Sequence, residues 1–278
     1  MATSKIILAT ALAVMLIVGF SVGIIAEPLL IQQSTTSDPI WDNIVATGKI
    51  KVACDPTWPP YESLDSNGNF IGFEVDLVNA VAEKLNLTAE WQNVSFPNIM
   101  PLVKDKTLDM GVSGFSVTSE RLSQVSFTMP HSTAQRQIIM TASKQASLGI
   151  TTLASLNEIK SLNLTLGVQS GTTQIDDLTS AGVNYKAFDD FGSAIQDMIS
   201  ANPTVDGVYA ETPLSPLITQ NSSQQNPIVT VYDAPYYPCA FITNINAHTF
   251  TAKVNGALSD IIASGQMDTL KAKWNLTT

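Results

Sequence analysis

Residues 112–125 read VSGFSVTSERLSQV and hold Arg121, one of only two arginines in a chain of 278 residues. A guanidinium keeps its charge at any physiological pH and presents a planar fork of N–H donors that matches a carboxylate. The same run supplies Ser113, Gly114, Ser116 and Thr118, whose hydroxyls and free backbone N–H groups suit that anion, and Ser119 reads as the cap of a helix carrying Glu120 and Arg121. A second anion-friendly stretch is GVQSGTTQID, residues 167–176, where a strand ending near Gln169 turns at Gly171 into Thr172 and Thr173 at a helix start. It lacks the lysine of a phosphate loop and the glycine pattern of a dinucleotide site, which points to a small carboxylate rather than ATP or NAD. VDGVYAETP ends a strand at Glu211, an acid placed to receive an ammonium group. Trp58 and Phe96 follow the first and second strands, where they can enclose a flat or apolar group. Together these residues match the carboxylate, ammonium and side chain of a free amino acid. Singly, each has an ordinary alternative: a surface Arg121–Glu120 pair, a capped turn, core aromatics.

The elements that must position these residues alternate along the chain. KIKVACD is a β-branched strand ending at Asp55, and NFIGF follows an Asn67-Gly68 hairpin turn. FEVDLVNAVAEKLNL places Val75, Val78, Val81, Ala82 and Leu85 at helical spacing with acids in its first turn. LTAEWQNV and LDMGVSG are strands separated by the helix FPNIMPLVKDK. LNLTLGVQ, VNYKAF, VDGVYAE and IVTVYDA repeat the pattern, with TPLSPLITQN as a short helix before the last. A terminal helix carries Val254, Ala257, Leu258, Ile261 and Ile262 on one face and stops at Gly265. Repeated βα units predict an α/β fold of mostly parallel sheets flanked by helices, and they bring every residue singled out above to a strand's carboxyl end.

A net charge of −10 leaves no basic footprint for nucleic acid. Residues 6–26 hold no charge over 21 positions, long for a signal-peptide core and long enough to span a bilayer. They read as a signal cut near Ala26 or, preferred here, as an N-terminal membrane anchor with a short tether, so that residues 1–38 stand apart and the rest lies outside the cytoplasmic membrane. Cys54 and Cys239 are expected as buried thiols in apolar strands, with a disulfide as the alternative. The two histidines, His131 and His248, read as structural or surface residues, and there is no metal-ligand cluster or nucleophile motif.

KVACDPTWPPYESLDSNGNFIGFEVDLVNAVAEKL, SGFSVTSERLSQVSFTMP, LGVQSGTTQ, VDGVYAETP and KVNGALSDIIASGQMDTLKAKW occur in an order that resembles the periplasmic polar-amino-acid-binding proteins of ABC importers, solute-binding family 3. The resemblance runs from about residue 40 to residue 275. It implies the two-lobed type II periplasmic-binding fold, with residues 39–133 and 237–278 in lobe 1, residues 134–236 in lobe 2, and hinge crossings near Thr133–Arg136 and Ala234–Tyr237. It implies that Arg121 clamps the ligand carboxylate, helped by Ser116 and by Thr172 and Thr173 across the cleft. Ser113 or Gly114 would offer carbonyls to the ammonium, and Glu211 would pair with it where relatives carry aspartate. Trp58 and Phe96 would stack on the ligand, Asp55 and Glu74 would read its side chain, and Gln169 would line lobe 2. The function implied is capture of a polar or basic amino acid by hinge closure of a monomer, then delivery to a permease and its ATPase, without cofactor. The alternative from another class is a prephenate or arogenate dehydratase on the same scaffold, with Glu211 or Glu74 as its acid or base.

Overall fold

In the computed structural model, residues 38–276 are described apart from 214–216, 219, 220 and 224–226. The expected leader, and part of the short helix expected around residues 212–221, lie outside the described residues.

Helix α1 (Pro39–Thr47) is capped by Asp38, which accepts from the N–H groups of Ile40 and Trp41, and it closes on Gly48 in the left-handed conformation. Strand β1 (Lys49–Cys54) turns Lys49 and Lys51 outward, while Ile50, Val52, Ala53 and Cys54 are buried. Strands β2 (Thr57–Trp58), β3 (Glu62–Leu64) and β4 (Phe70–Ile71) form a small antiparallel sheet, with the expected turn between β3 and β4. Helix α2 (Phe73–Lys84) follows, then β5 (Thr88–Asn93), α3 (Phe96–Lys104), β6 (Met110–Val112), α4 (Ser119–Leu122) and β7 (Val125–Phe127). Strand β8 (Ser132–Thr141) leads into α5 (Ala142–Leu148), α6 (Leu156–Ser161), β9 (Thr165–Gln169), α7 (Gln174–Ala181), β10 (Asn184–Phe188), α8 (Phe191–Ile199) and β11 (Gly207–Glu211). The chain returns along β12 (Ile228–Cys239) to β13 (Ile242–Asn244), α9 (His248–Ala263) and α10 (Gln266–Lys273).

Two five-stranded sheets result, ordered β5-β1-β6-β13-β7 and β10-β9-β11-β8-β12. Four strands of each run in one direction and a single strand is reversed, β13 in the first sheet and β8 in the second, each antiparallel to both its neighbours. Parallel strands need helical cover on both faces, and α2, α3 and α9 supply it for the first sheet by burying Phe73, Leu77, Val78, Ile99, Val103, Val254, Leu258 and Ile261. Each such side chain contributes about 1.5–3 kcal/mol of burial free energy.

Three local expectations are corrected. The cap of α4 is Thr118, whose hydroxyl accepts from Arg121 N, because the extended backbone at 118 leaves Ser119 inside the first turn. Ile262 is 47% exposed, since the buried stripe of α9 runs through Val254, Ala257, Leu258 and Ile261 and leaves it on the outer edge. IVTVYDA and PYYPC are one strand, β12, paired with β8 along its length with register shifts at 230/232 and 233/236.

Candidate ligand-binding site

The carboxyl ends of both sheets face one narrow cavity of about 20 Å³, room for little more than a water molecule. Its first wall carries Asp55, Thr57, Trp58, Glu62, Phe96, Ser113, Gly114, Ser116 and Arg121. Its second carries Gln169, Thr172, Thr173, Gln174, Phe191 and Glu211. Every residue expected at the site is therefore brought to the cavity except Glu74. That carboxylate is fully buried one layer behind the wall, where Oε2 accepts from Gly114 N at 3.1 Å and Oε1 lies 2.7 Å from His131 Nε2. Glu74 is therefore corrected to a supporting role: α2 turns it toward His131, which itself stacks on Phe241 at 4.2 Å.

Arg121 is not a surface residue. It is 7% exposed, and its guanidinium lies over the rings of Phe96 and Phe115 at 5.7 and 5.3 Å. Nη1 donates to Ser116 O and Nη2 crosses the cavity to Gly171 O, both at 3.2 Å. Burial is the largest influence on its charge and lowers its pKa, with Glu211 acting in the opposite direction.

Three further bonds cross between the walls. Asp55 Oδ2 accepts from Gln169 Nε2 at 3.1 Å, Ser116 Oγ donates to Glu211 Oε1 at 3.1 Å, and Trp58 Nε1 donates to Glu211 O at 3.3 Å. Gly171 packs against Pro97 of the facing wall, where a Cβ would come within 2.9 Å of Pro97 Cα. The walls are thus closed on each other.

Gly114 has φ +56°, and a Cβ there would lie 2.1 Å from the Trp58 ring, so the glycine lets the indole sit flat on the backbone. Trp58 also stacks on Tyr61 at 4.4 Å, which holds the indole on that wall. Gly114→Ala is expected to destabilise the protein by about 1–3 kcal/mol and to weaken ligand binding with it. Chemical denaturation checks this, and an unchanged midpoint would show that Trp58 swings away freely.

Sequence reasoning missed two wall residues with the strongest ligand signal. Glu62 is fully buried, its carboxyl beside the Glu74 carboxyl and the Ser113 hydroxyl, with no backbone N–H or cation bonded to it. Gln174, at the start of α7, is likewise fully buried with both amide atoms unpartnered. Buried polar groups are normally satisfied, so Gln174 and the acid cluster around Glu62, on opposite walls of one cavity, are the candidates for completion by a bound molecule. Glu62 sits in YESL on a hairpin strand, and its alternation there looks like that of any edge strand. Its burial is a tertiary fact. Burial, then Glu74 and Asp55 nearby, push the Glu62 carboxyl well above the usual range. Asp55 and Glu211 are also raised, each mainly by burial, and Arg136 and Arg121 partly offset that for Glu211. Cys54 and Cys239 are buried, unbridged thiols as expected.

The cavity thus gathers one buried cation, Arg121, a helix start with two threonines, and three buried acids, Glu211, Asp55 and Glu62, with Trp58 and Phe96 on the first wall.

Comparison with known proteins was made against this geometry. The family described as bacterial extracellular solute-binding proteins, family 3, matches residues 50–277. The chain is 24% identical over 236 residues to the arginine-binding periplasmic protein of Mannheimia haemolytica, covering 83% of this chain and 93% of that one. It is 25% identical to the ABC transporter arginine-binding protein 1 of Escherichia coli (strain K12), covering 82% and 91%. Among solved structures, an ancestral arginine-binding protein bound to arginine superposes with a TM-score of 0.72 at 27% identity, covering 82% of this chain and 98% of that one. An ancestral arginine-binding protein bound to glutamine gives 0.72 at 29% identity, covering 83% and 99%.

Proposed function

The chain belongs to family 3 of the bacterial extracellular solute-binding proteins, and from that premise we propose that it captures a free L-amino acid with a cationic side chain and delivers it to an ABC importer. The observation that carries the reading is the fully buried carboxyl of Glu62, which lines the same cavity as the Arg121 guanidinium and has acids rather than a cation beside it. A ligand meeting both must bring a carboxylate to Arg121 and a cation to Glu62. Arg121 would take the α-carboxylate with Thr173, Glu211 the ammonium, and Trp58 and Phe96 the aliphatic stem. Glu62, Asp55 and Gln174 would take the distal cation. The names of the relatives described above, which are arginine-binding proteins rather than enzymes, support binding over a dehydratase.

The two lobes would be residues 39–133 with 237–278, and residues 134–236, which accords with the division of the strands into two sheets. Antiparallel β8 and β12 would carry the hinge, since both run from the cavity into the second sheet. The ligand would shift the population toward the closed form by contacts available only there. The protein would act as a monomer outside the cytoplasmic membrane, held near the permease and its ATPase by residues 6–26 as an anchor, which raises its local concentration there.

A thermal-shift screen of the full chain against L-arginine, L-lysine, L-histidine and L-glutamine tests the reading. A ligand at 100 times its Kd adds about 2.7 kcal/mol, so the cationic amino acids should raise Tm visibly. No shift with any of the four would sink it.

A further inference from the structure

We propose that Arg136, the chain's other arginine, is the positioning residue that aims both α-groups of the ligand's binding partners, Thr173 and Glu211, a role that rests on the amino-acid reading above. Arg136 does not line the cavity. It stands behind Glu211 on β8, directly opposite it in the β8–β11 ladder. Its side chain is 4% exposed, and the ring of Tyr237 lies 3.9 Å beneath the guanidinium. Nη1 bonds Asp177, whose carboxylate also accepts from the Tyr209 hydroxyl at 3.0 Å. Nη2 donates to Thr173 Oγ1 at 2.5 Å. Nε faces Glu211 Oε1 at 3.5 Å as an ion pair, without the geometry of a hydrogen bond.

Two consequences follow from donor and acceptor chemistry. A guanidinium has only donors, so Thr173 Oγ1 is committed as an acceptor toward Arg136. Its own hydrogen is then left to donate elsewhere, and Thr173 lines the cavity where a ligand carboxylate would meet Arg121. Glu211 is gripped from behind by the Arg136 charge and from the facing wall by Ser116 Oγ at 3.1 Å. That double hold aims its carboxylate where an ammonium would arrive.

The charges balance only with Arg136 present. With a zwitterion bound, Arg121, Arg136 and the ligand ammonium face the ligand carboxylate, Glu211 and Asp177. Removing Arg136 leaves a buried carboxylate uncompensated, which is strongly unfavourable. Lysine cannot substitute fully, because a point charge on a flexible stem cannot hold Asp177, Thr173 and Glu211 in one plane.

The test is isothermal titration of the full chain, Arg136→Met and Arg136→Lys with three probes: L-arginine, 5-guanidinopentanoate, which lacks the α-ammonium, and agmatine, which lacks the α-carboxylate. Arg136→Met is expected to weaken L-arginine about a hundredfold, the size of losing charged hydrogen bonds. It should also reduce the preference for L-arginine over each truncated probe by about tenfold or more, because the group those probes lack is no longer well received. Arg136→Lys should regain the preference over 5-guanidinopentanoate, since a charge still backs Glu211, and not the preference over agmatine, since Thr173 is no longer held. A merely structural arginine would leave the preferences among the three probes unchanged, whether or not all three weaken together, and that result overturns the proposal. Should Arg136→Met fail to fold, unchanged preferences in Arg136→Lys overturn it equally. If the unaltered chain binds none of the three, the amino-acid reading itself falls and takes this role with it.

Discussion

Arg121→Ala is expected to weaken capture of L-arginine by roughly 30- to 3,000-fold, the range for truncating one partner of a buried charge pair. The guanidinium is 7% exposed between Phe96 and Phe115, and no other cationic side chain lines the cavity among the described residues. Water cannot replace the lost fork in so enclosed a place, and Glu211 would then stand against the ligand carboxylate with only Arg136 to offset it. The free protein should fold as before, because Arg121 bonds backbone carbonyls rather than a carboxylate partner. Arg121→Lys should fall between the two, since it keeps the charge and loses the planar pair of donors. Titration calorimetry measures all three, and an undiminished affinity in the alanine variant would remove Arg121 from the site.

Glu62→Gln is expected to move stability and binding in opposite directions. In the free protein, Glu62 is fully buried beside the Glu74 and Asp55 carboxyls, so replacing the acid by a neutral amide removes that electrostatic cost and should stabilise the fold by about 1–3 kcal/mol. The same change removes the anion that a distal cation needs, so preference for L-arginine over L-glutamine should fall at least about tenfold. A residue that only packs would lose stability on substitution, and this one should gain it while losing function.

The pH dependence carries the same signature. Burial holds the folded-state pKa of Glu62 above its unfolded value, so the folded protein keeps a proton that the unfolded chain has released. Stability of the free protein should therefore decline as pH rises from the ordinary carboxylate range through the raised value. Affinity for a cationic ligand should rise across the same window, as the proton leaves and the carboxylate becomes available. Glu62→Gln should flatten both slopes relative to the unaltered chain. Melting curves and titrations at several pH values check this, and identical slopes in the two proteins would place the titration elsewhere.

The sequence made the repeated βα grammar legible because strand and helix periodicities are local, and nearly every element falls where the pattern put it. It also singled out Arg121, because a rare guanidinium beside hydroxyls at a strand end is a local chemical signal. It missed Arg136, which sits in AQRQIIM and looks like an outward residue of a strand. Only the pairing of β8 with β11 sets it opposite Glu211. It also assigned Glu74 to the cavity, since an acid in the first turn of a helix gives no sign of which layer it reaches. In the folded protein, His131 arrives from a residue 57 positions away and holds it behind the wall.

The amino-acid sequence by itself thus determined the fold class, the order of its elements, and the chemistry of the anion-binding end, all written in short stretches of chain. The tertiary structure alone decided which acid lines the cavity. Glu62 and Glu74 are equivalent in composition and separated by one hairpin and a helix turn. Their difference arises because one meets His131 and the Gly114 N–H, while the other has the Glu74 carboxyl and Ser113 beside it and is pushed by burial well above the usual carboxylate range. Whether a buried carboxylate finds a partner depends on chain segments distant in sequence, and that leaves no trace in its neighbours.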